Sequence, residues 1–195
     1  VRASNPYDRI AGKFAKSRTG FREQGYVDQL IALAAPGARI LDLGCGTGVP
    51  IARYLIDHGF HVTGVDSSAA MLALAAHHCP EAELVRADMT EVALDGPFGG
   101  IVAWDSVFHV PRTQHGKLFA DMARLLAPGA PLLLSVGGSE GDFSAPMFEV
   151  EFAYSGDYPS ETRRRLEGCG FEVRLAELDD PSSRGHVAML CTKAQ

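Results

Sequence analysis

The chain has 195 residues, 46% of them apolar and 22% charged, which is the make-up of a soluble globular domain and excludes a disordered or fibrous chain. Its formal charge of −6 argues against a protein that coats nucleic acid or is held on anionic membranes by charge. The four cysteines, Cys45, Cys79, Cys169 and Cys191, are irregularly spaced and form no C-x-x-C pair. Neither a disulfide framework nor a zinc site is expected, and reduced thiols point to the cytoplasm.

The opening VRASNPYDRIAGKFAK lacks the apolar core of a signal peptide. No apolar run approaches the roughly 18 residues of a membrane-spanning helix. Residues 1–37 read as an N-terminal helical cap. From Ala38 onward strand-like and helical stretches alternate. ARILDL (38–43) reads as a buried strand that enters the glycine loop GCGTG (44–48). VPIARYLIDHG (49–59) follows as a helix, with Pro50 in its first turn and Gly59 at its end. HVTGVD (61–66) is a second strand, and SSAAMLALAAHH (67–78) a helix capped by Ser67 or Ser68. AELVRAD (82–88) and GGIVAWD (99–105) are further strands, TQHGKLFADMARLLAPG (113–129) an amphipathic helix, and APLLLSVG (130–137) a fifth strand.

Residues 138–158 break the pattern with glycines, acids and five aromatics, and read as a loop over or within a site. SETRRRLEGCG (160–170) is a helix in which Arg163, Arg164 and Arg165 read as a solvated face. FEVRLAEL (171–178) and HVAMLCTKA (186–194) are strands joined by a link too short for a crossover helix, so they should pair antiparallel. The expected fold is therefore α/β: a Rossmann-like doubly wound sheet of five parallel strands plus a C-terminal antiparallel hairpin, with helices on both faces. One domain spans 1–195, with a core at 38–137 and an acceptor-side region at 138–195.

Ligands of such sheets bind beyond the carboxyl ends of the strands. Asp42, Asp66, Asp88 and Asp105 each fall at or beside the end of a different strand, which gathers four acids on one edge. The loop itself discriminates among ligands. It is D-x-G-x-G-x-G from Asp42 to Gly48, and it lacks both the third glycine of a dinucleotide fingerprint and the lysine of a phosphate-binding P-loop. An acid ahead of the glycines repels a pyrophosphate and suits a ligand that carries positive charge.

These motifs resemble the class I S-adenosylmethionine-dependent methyltransferases: ILDLGCGTG for the loop, VTGVDSSAAML for the second strand and its acid, VRADM for the third, and FGGIVAWDSVFHVPR with LLAPGAPLLLSV for the fourth and fifth. The match covers residues 38–137 closely and the terminal hairpin loosely, and YDRIAGKFA (7–15) looks like the capping segment of small bacterial members. The resemblance implies S-adenosylmethionine as cofactor, no metal, and a methyl group passed to a small molecule. It places the cofactor against Asp42, Gly44, Cys45, Gly46 and Gly48. Asp66 would accept both ribose hydroxyls, beside Ser67 and Met71, and Asp88 and Met89 would meet the adenine. Asp105 would lie near the methionine end and the methyl donor, and is a catalytic candidate there.

His109 is the candidate base, or else a structural histidine bonded to nearby backbone. Tyr7, Phe14, Phe143, Phe148 and Tyr154 are candidate walls of an acceptor pocket, or ordinary core. The fourth strand ends in AWDSVF, without the prolines of base-amino methylases, and no nucleic-acid module is visible. The acceptor is therefore expected to be a small molecule and not nucleic acid, with no membrane partner and a monomer or homodimer as the working unit. Two rival readings remain at this point: a silent cofactor-binding protein of the same fold, and an NAD-dependent oxidoreductase, since Asp66 also stands at a suitable distance from Gly44 for that fingerprint.

Overall fold

The computed structural model describes residues 5–180 and 186–195. Asn5 caps the first helix, α1 (Pro6–Ser17), by accepting a hydrogen bond from the Tyr7 amide at 2.9 Å. A second helix, α2 (Gln24–Leu33), leads to β1 (Arg39–Leu43), α3 (Ile51–Asp57), β2 (His61–Asp66) and α4 (Ala69–His78). Then follow β3 (Glu83–Arg86), β4 (Gly100–Ala103), a single 3-10 turn at Val107–His109, α5 (Arg112–Leu125) and β5 (Pro131–Val136). The chain ends with β6 (Gly141–Met147), β7 (Val150–Gly156), α6 (Pro159–Gly168), β8 (Phe171–Asp180) and β9 (His186–Lys193).

Seven strands form one sheet in the order β3-β2-β1-β4-β5-β9-β8. The first five are mutually parallel, and β9 lies antiparallel to both β5 and β8. The expected doubly wound sheet with its C-terminal hairpin is thus present. Both faces are covered. Leu132 and Leu134 join Leu118, Phe119 and Met122 of α5 and Leu166 of α6 on one side. Leu133 points the other way, to Val27 and Leu30 of α2 and Leu55 of α3, as the two-residue period of a strand requires.

Strand order reverses between β1 and β4. The chain runs outward through β2 and β3, then returns to the far side of β1. That switch point opens a crevice at the carboxyl ends of β1 and β4.

Four local readings need correction. Residues 138–158 are not a loop: β6 and β7 form a separate two-stranded antiparallel sheet, with Phe143 opposite Tyr154 and Ala145 opposite Phe152. Its turn is Phe148–Glu149, both with positive φ (49° and 66°), a conformation that usually announces itself with Asn or Gly. Helix α5 stops at Leu125, because Leu126 turns extended and bridges Phe98 in strand fashion. The 1–37 segment divides: α2 packs into the main core, and only α1 stands apart, against α4 and β7. In the arginine run, Arg163 and Arg164 pair with Glu167 and Glu161 on the surface, but Arg165 reaches the buried Asp157 at 3.2 Å. The link between β8 and β9 lies outside the described residues.

Candidate active site

The three glycines of the loop do different work. Gly44 and Cys45 donate their amides to the Val65 carbonyl at 2.8 and 3.0 Å, which ties the loop to the end of β2. A Cβ on Gly44 would stand 2.4 Å from that of Ser106, so glycine is needed for the β1 loop to meet the turn after β4. A Cβ on Gly48 would come within 2.9 Å of the Cys79 sulfur, so this glycine lets the loop pack on the end of α4. Gly46, also at positive φ, faces open space. Of the three it is the one with room for a ligand against its backbone.

Asp66 ends β2. Its Oδ2 accepts from the Gly46 amide at 2.9 Å and its Oδ1 from the Ser68 amide at 2.8 Å. Two bonds leave each oxygen a lone pair for a ligand. Burial raises the Asp66 pKa, and the amides of Ser68 and Gly46 oppose the rise. Asp42 is buried at the floor of the crevice, where burial pushes its carboxyl up to about 7; the nearby Asp66 adds to the push and Arg18 opposes it. Asp88 holds the Thr90 amide and hydroxyl on one oxygen, at 2.9 and 2.8 Å, in a turn beyond β3. Asp105 takes a left-handed backbone (φ 51°) after β4, with Ser135, Arg18 and His186 around its carboxylate at 3.2, 3.3 and 3.4 Å.

One cavity joins these groups. Asp42, Gly44, Cys45, Gly46, Asp66, Ser67, Met71, Asp88, Met89, Asp105 and His109 all line it, as do Tyr7 and Phe14 from α1. Gly48 does not line it, consistent with its packing role. Cys45 sits against Gly64, where burial drives its thiol well above its ordinary value and so favours the protonated form. Sequence reasoning missed Arg18, Trp104 and Ser106, which also line the cavity. Ser106 donates to the Leu43 carbonyl at 2.8 Å. Arg18 lies beyond the last turn of α1, bonded to the buried Glu23 as well as to Asp105. No motif marks it, because its place depends on how α1 docks.

His109 lies at the far wall. Its Nδ1 is 3.0 Å from the Ala153 carbonyl of β7, and its Nε2 is 2.8 Å from the Tyr7 hydroxyl. A carbonyl only accepts, so Nδ1 carries the hydrogen and Nε2 accepts from the Tyr7 O–H. Burial lowers the His109 pKa, which favours the neutral ring; the Ala153 carbonyl and Asp105 act the other way. Burial also raises the Tyr7 pKa, aided by Tyr154 and Asp66, so that phenol stays protonated. His109 thus both bonds to backbone, as a structural histidine would, and lines the cavity.

A second, shallower groove begins on the other side of His109. Phe143 and Tyr154 line it, with Pro111, Arg112 and Asp142. Phe148 lines neither cavity; it is exposed at the hairpin turn. Among the described residues no group of three or more His, Cys, Asp or Glu side chains is placed to hold a metal ion, and no helix is long and apolar enough to cross a membrane.

The cavity fits S-adenosylmethionine. Four carboxylates line it against one guanidinium. That balance suits a ligand with a sulfonium, an ammonium and a single carboxylate. The open Gly46 backbone, the part-free Asp66 oxygens and the apolar Met71, Val65 and Ala87 offer room for its sugar and base.

Comparison with known proteins agrees with that geometry. Residues 40–129 match the family described as methyltransferase domain. A ubiquinone biosynthesis O-methyltransferase of Dechloromonas aromatica is 32% identical over 116 residues, covering 56% of this chain and 48% of that protein. The matches to the first curated relatives span between 24% and 48% of those proteins' lengths. Among solved structures, the CcbJ methyltransferase of Streptomyces caelestis superposes with a TM-score of 0.79 at 18% identity, covering 98% of this chain and 99% of that one. The 1,6-didemethyltoxoflavin-N1-methyltransferase of Burkholderia thailandensis, with its bound ligand and S-adenosylhomocysteine, gives 0.72 at 19% identity, covering 100% and 93%. The fold is that of the S-adenosylmethionine-dependent methyltransferases.

Proposed function

We propose that this chain, whose residues 40–129 match the methyltransferase-domain family, binds S-adenosylmethionine at the carboxyl edge of its sheet and methylates a small molecule. The observation that carries the reading is Asp66: a strand-end carboxylate oriented by the Gly46 and Ser68 amides, beside a glycine with open space in front of it. A diol binds such a carboxylate through two parallel hydrogen bonds. The turn holding Asp88 and Met89 is the adenine end of the site, and Asp42 meets the ammonium. Arg18, the single guanidinium lining the cavity, meets the carboxylate.

When bound, the sulfonium would supply an activated methyl group to an acceptor atom held in line with it. The protein's part is orientation and exclusion of water. Tyr7 and Phe14 of α1 cover the cavity, and His109 Nε2 is the proton acceptor behind the Tyr7 hydroxyl. The chain acts in this reading on a small molecule and not on nucleic acid, as a monomer or homodimer. Its four free thiols fit a cytoplasmic setting.

Titration calorimetry with S-adenosylmethionine, S-adenosylhomocysteine and NAD in parallel tests the reading. The first two bind in the micromolar range and NAD does not. Asp66→Ala weakens their binding by roughly tenfold or more, the cost of removing charge-assisted hydrogen bonds. Binding of NAD alone, or an Asp66→Ala protein with unchanged affinity, overturns it.

A further inference from the structure

The groove beyond His109 holds a run of rings that the cofactor does not use. Phe143 stands at its outer end, 51% exposed, and stacks on Tyr154 at 5.1 Å between centroids with the planes only 12° apart. Tyr154 is 5.0 Å from His109, and His109 is 5.5 Å from Tyr7. Rings therefore run without a break from solvent to the wall shared by both cavities. Beyond Tyr154 the rings turn away, His109 tilted by 41° from Tyr154 and Tyr7 edge-on to His109 at 86°, so the stacked Phe143–Tyr154 pair, open at its outer end, is the surface for another flat ring.

Charge narrows the ligand. Arg112 is the cation that lines this groove, and it is already held by Glu140 at 2.5 Å and by Asp142 at 3.6 Å. Two carboxylates against one guanidinium leave nothing to neutralise a phosphate or carboxylate on the ligand, and they repel one. The inner end supplies the reacting chemistry. With Nδ1 fixed as a donor to Ala153, His109 accepts the Tyr7 hydroxyl at Nε2, which leaves the Tyr7 oxygen free to accept a proton from a ligand hydroxyl.

We infer that the acceptor is an aromatic hydroxyl compound without negative charge, seated between the Phe143–Tyr154 face and the start of α5 with its hydroxyl at Tyr7 and His109. The inference rests on the methyltransferase reading above. In the step, the acceptor O–H bond breaks and its proton passes to the Tyr7 oxygen as the Tyr7 proton passes to His109 Nε2. The oxygen bonds the methyl carbon, and the C–S electron pair stays on sulfur to give the neutral thioether. The imidazolium then returns its proton to water.

The test uses a matched pair of probes, 3,4-dihydroxybenzylamine and 3,4-dihydroxybenzoate, which share ring and hydroxyls and differ in charge. Phosphoethanolamine serves as an aliphatic comparison. S-adenosylmethionine binding is first measured by calorimetry, and release of S-adenosylhomocysteine is then followed with each probe. The amine is expected to be turned over with kcat/KM at least about tenfold above the carboxylate, and phosphoethanolamine not at all. Phe143→Ala, at an exposed position, raises KM for the amine by roughly fivefold with kcat and cofactor affinity unchanged, and Phe143→Trp restores it. Equal or better turnover of the carboxylate or of phosphoethanolamine overturns the inference. So does a Phe143→Ala protein with unaltered KM, or a protein that binds the cofactor but methylates neither ring probe. Absence of cofactor binding would instead remove the methyltransferase reading, and the inference with it.

Discussion

In the proposed reading, a single buried carboxyl, Asp42, links cofactor binding to pH. Burial raises it from the ordinary carboxylate range to about 7 in the free protein. An ammonium placed beside it favours the charged form, so binding and deprotonation help each other. S-adenosylhomocysteine affinity should therefore rise as pH climbs from 6 to 8 and flatten above, with protons released on binding. Calorimetry in buffers of different ionisation heat measures that release directly. The same group works against the fold at neutral pH: its native pKa lies above the unfolded value, so its contribution to stability improves as pH falls through about 7 toward the unfolded range. An affinity independent of pH across this window would remove Asp42 from the ammonium site.

Single residues also show what the sequence could carry. Asp66 was legible because a strand end fixes where its side chain must be. The three glycines looked equivalent in the motif, yet Gly44 and Gly48 serve packing and Gly46 serves access. Arg18 was illegible for a physical reason: it reaches the site only through the docking of α1, which Asp8 secures by accepting from the Ser68 hydroxyl at 2.6 Å and the Ala70 amide at 3.0 Å.

Among the elements, α5 was only read four residues too long, whereas the β6–β7 hairpin was the one missed outright. Its strands alternate: Phe143, Ala145 and Met147 share a face with Val150, Phe152 and Tyr154, while Asp142 and Ser144 face away with Ser155 and Ala153. What hid it was the turn, where Phe148 and Glu149 adopt left-handed backbone without the residues that favour it. The replacement Phe148→Asn with Glu149→Gly should relieve that cost and stabilise the protein by about 1 kcal/mol, read as a higher urea midpoint at unchanged slope. The loss of the Glu149 pair with Lys13, 4.0 Å apart and largely exposed, should not register. A lower midpoint would mean that Phe148 contributes packing its exposure does not suggest. The helices were read well because caps and periodicity are local: Ser68 caps α4 through the Met71 amide at 3.1 Å, as one of the two serines had to.

For the whole molecule, the alternation of strands and helices was enough to give the class of fold, since a parallel sheet follows from crossover helices. The insertion of β9 between β5 and β8 was not legible, because a short link fixes that two strands pair but not which of them meets the older sheet. The two-faced core makes a clear prediction. Leu133, fully buried in a central strand, packs toward α2 and α3. Leu133→Ala should cost about 2–5 kcal/mol by denaturant unfolding, without altering cofactor affinity measured well below the transition. A cost under about 1 kcal/mol would show that α2 closes over the gap.

The layer made by α1 and the hairpin has a core of its own. Ile10, Val150 and Phe152 are its buried members, with Tyr7, Phe14, Met147 and Tyr154 around them, separate from the two clusters that grip the main sheet. So small an apolar nucleus gives this layer an opening free energy well below that of global unfolding. Hydrogen exchange should therefore find the amides of α1 and of the β6–β7 hairpin exchanging by local opening while those of the seven-stranded sheet stay protected. Tyr7, Phe14 and Arg18 would leave with the opening layer, and they are the groups that roof the cavity. In the proposed reading, release of spent ligand through this roof should be the slow step, which would be seen as a burst of product in the first turnover.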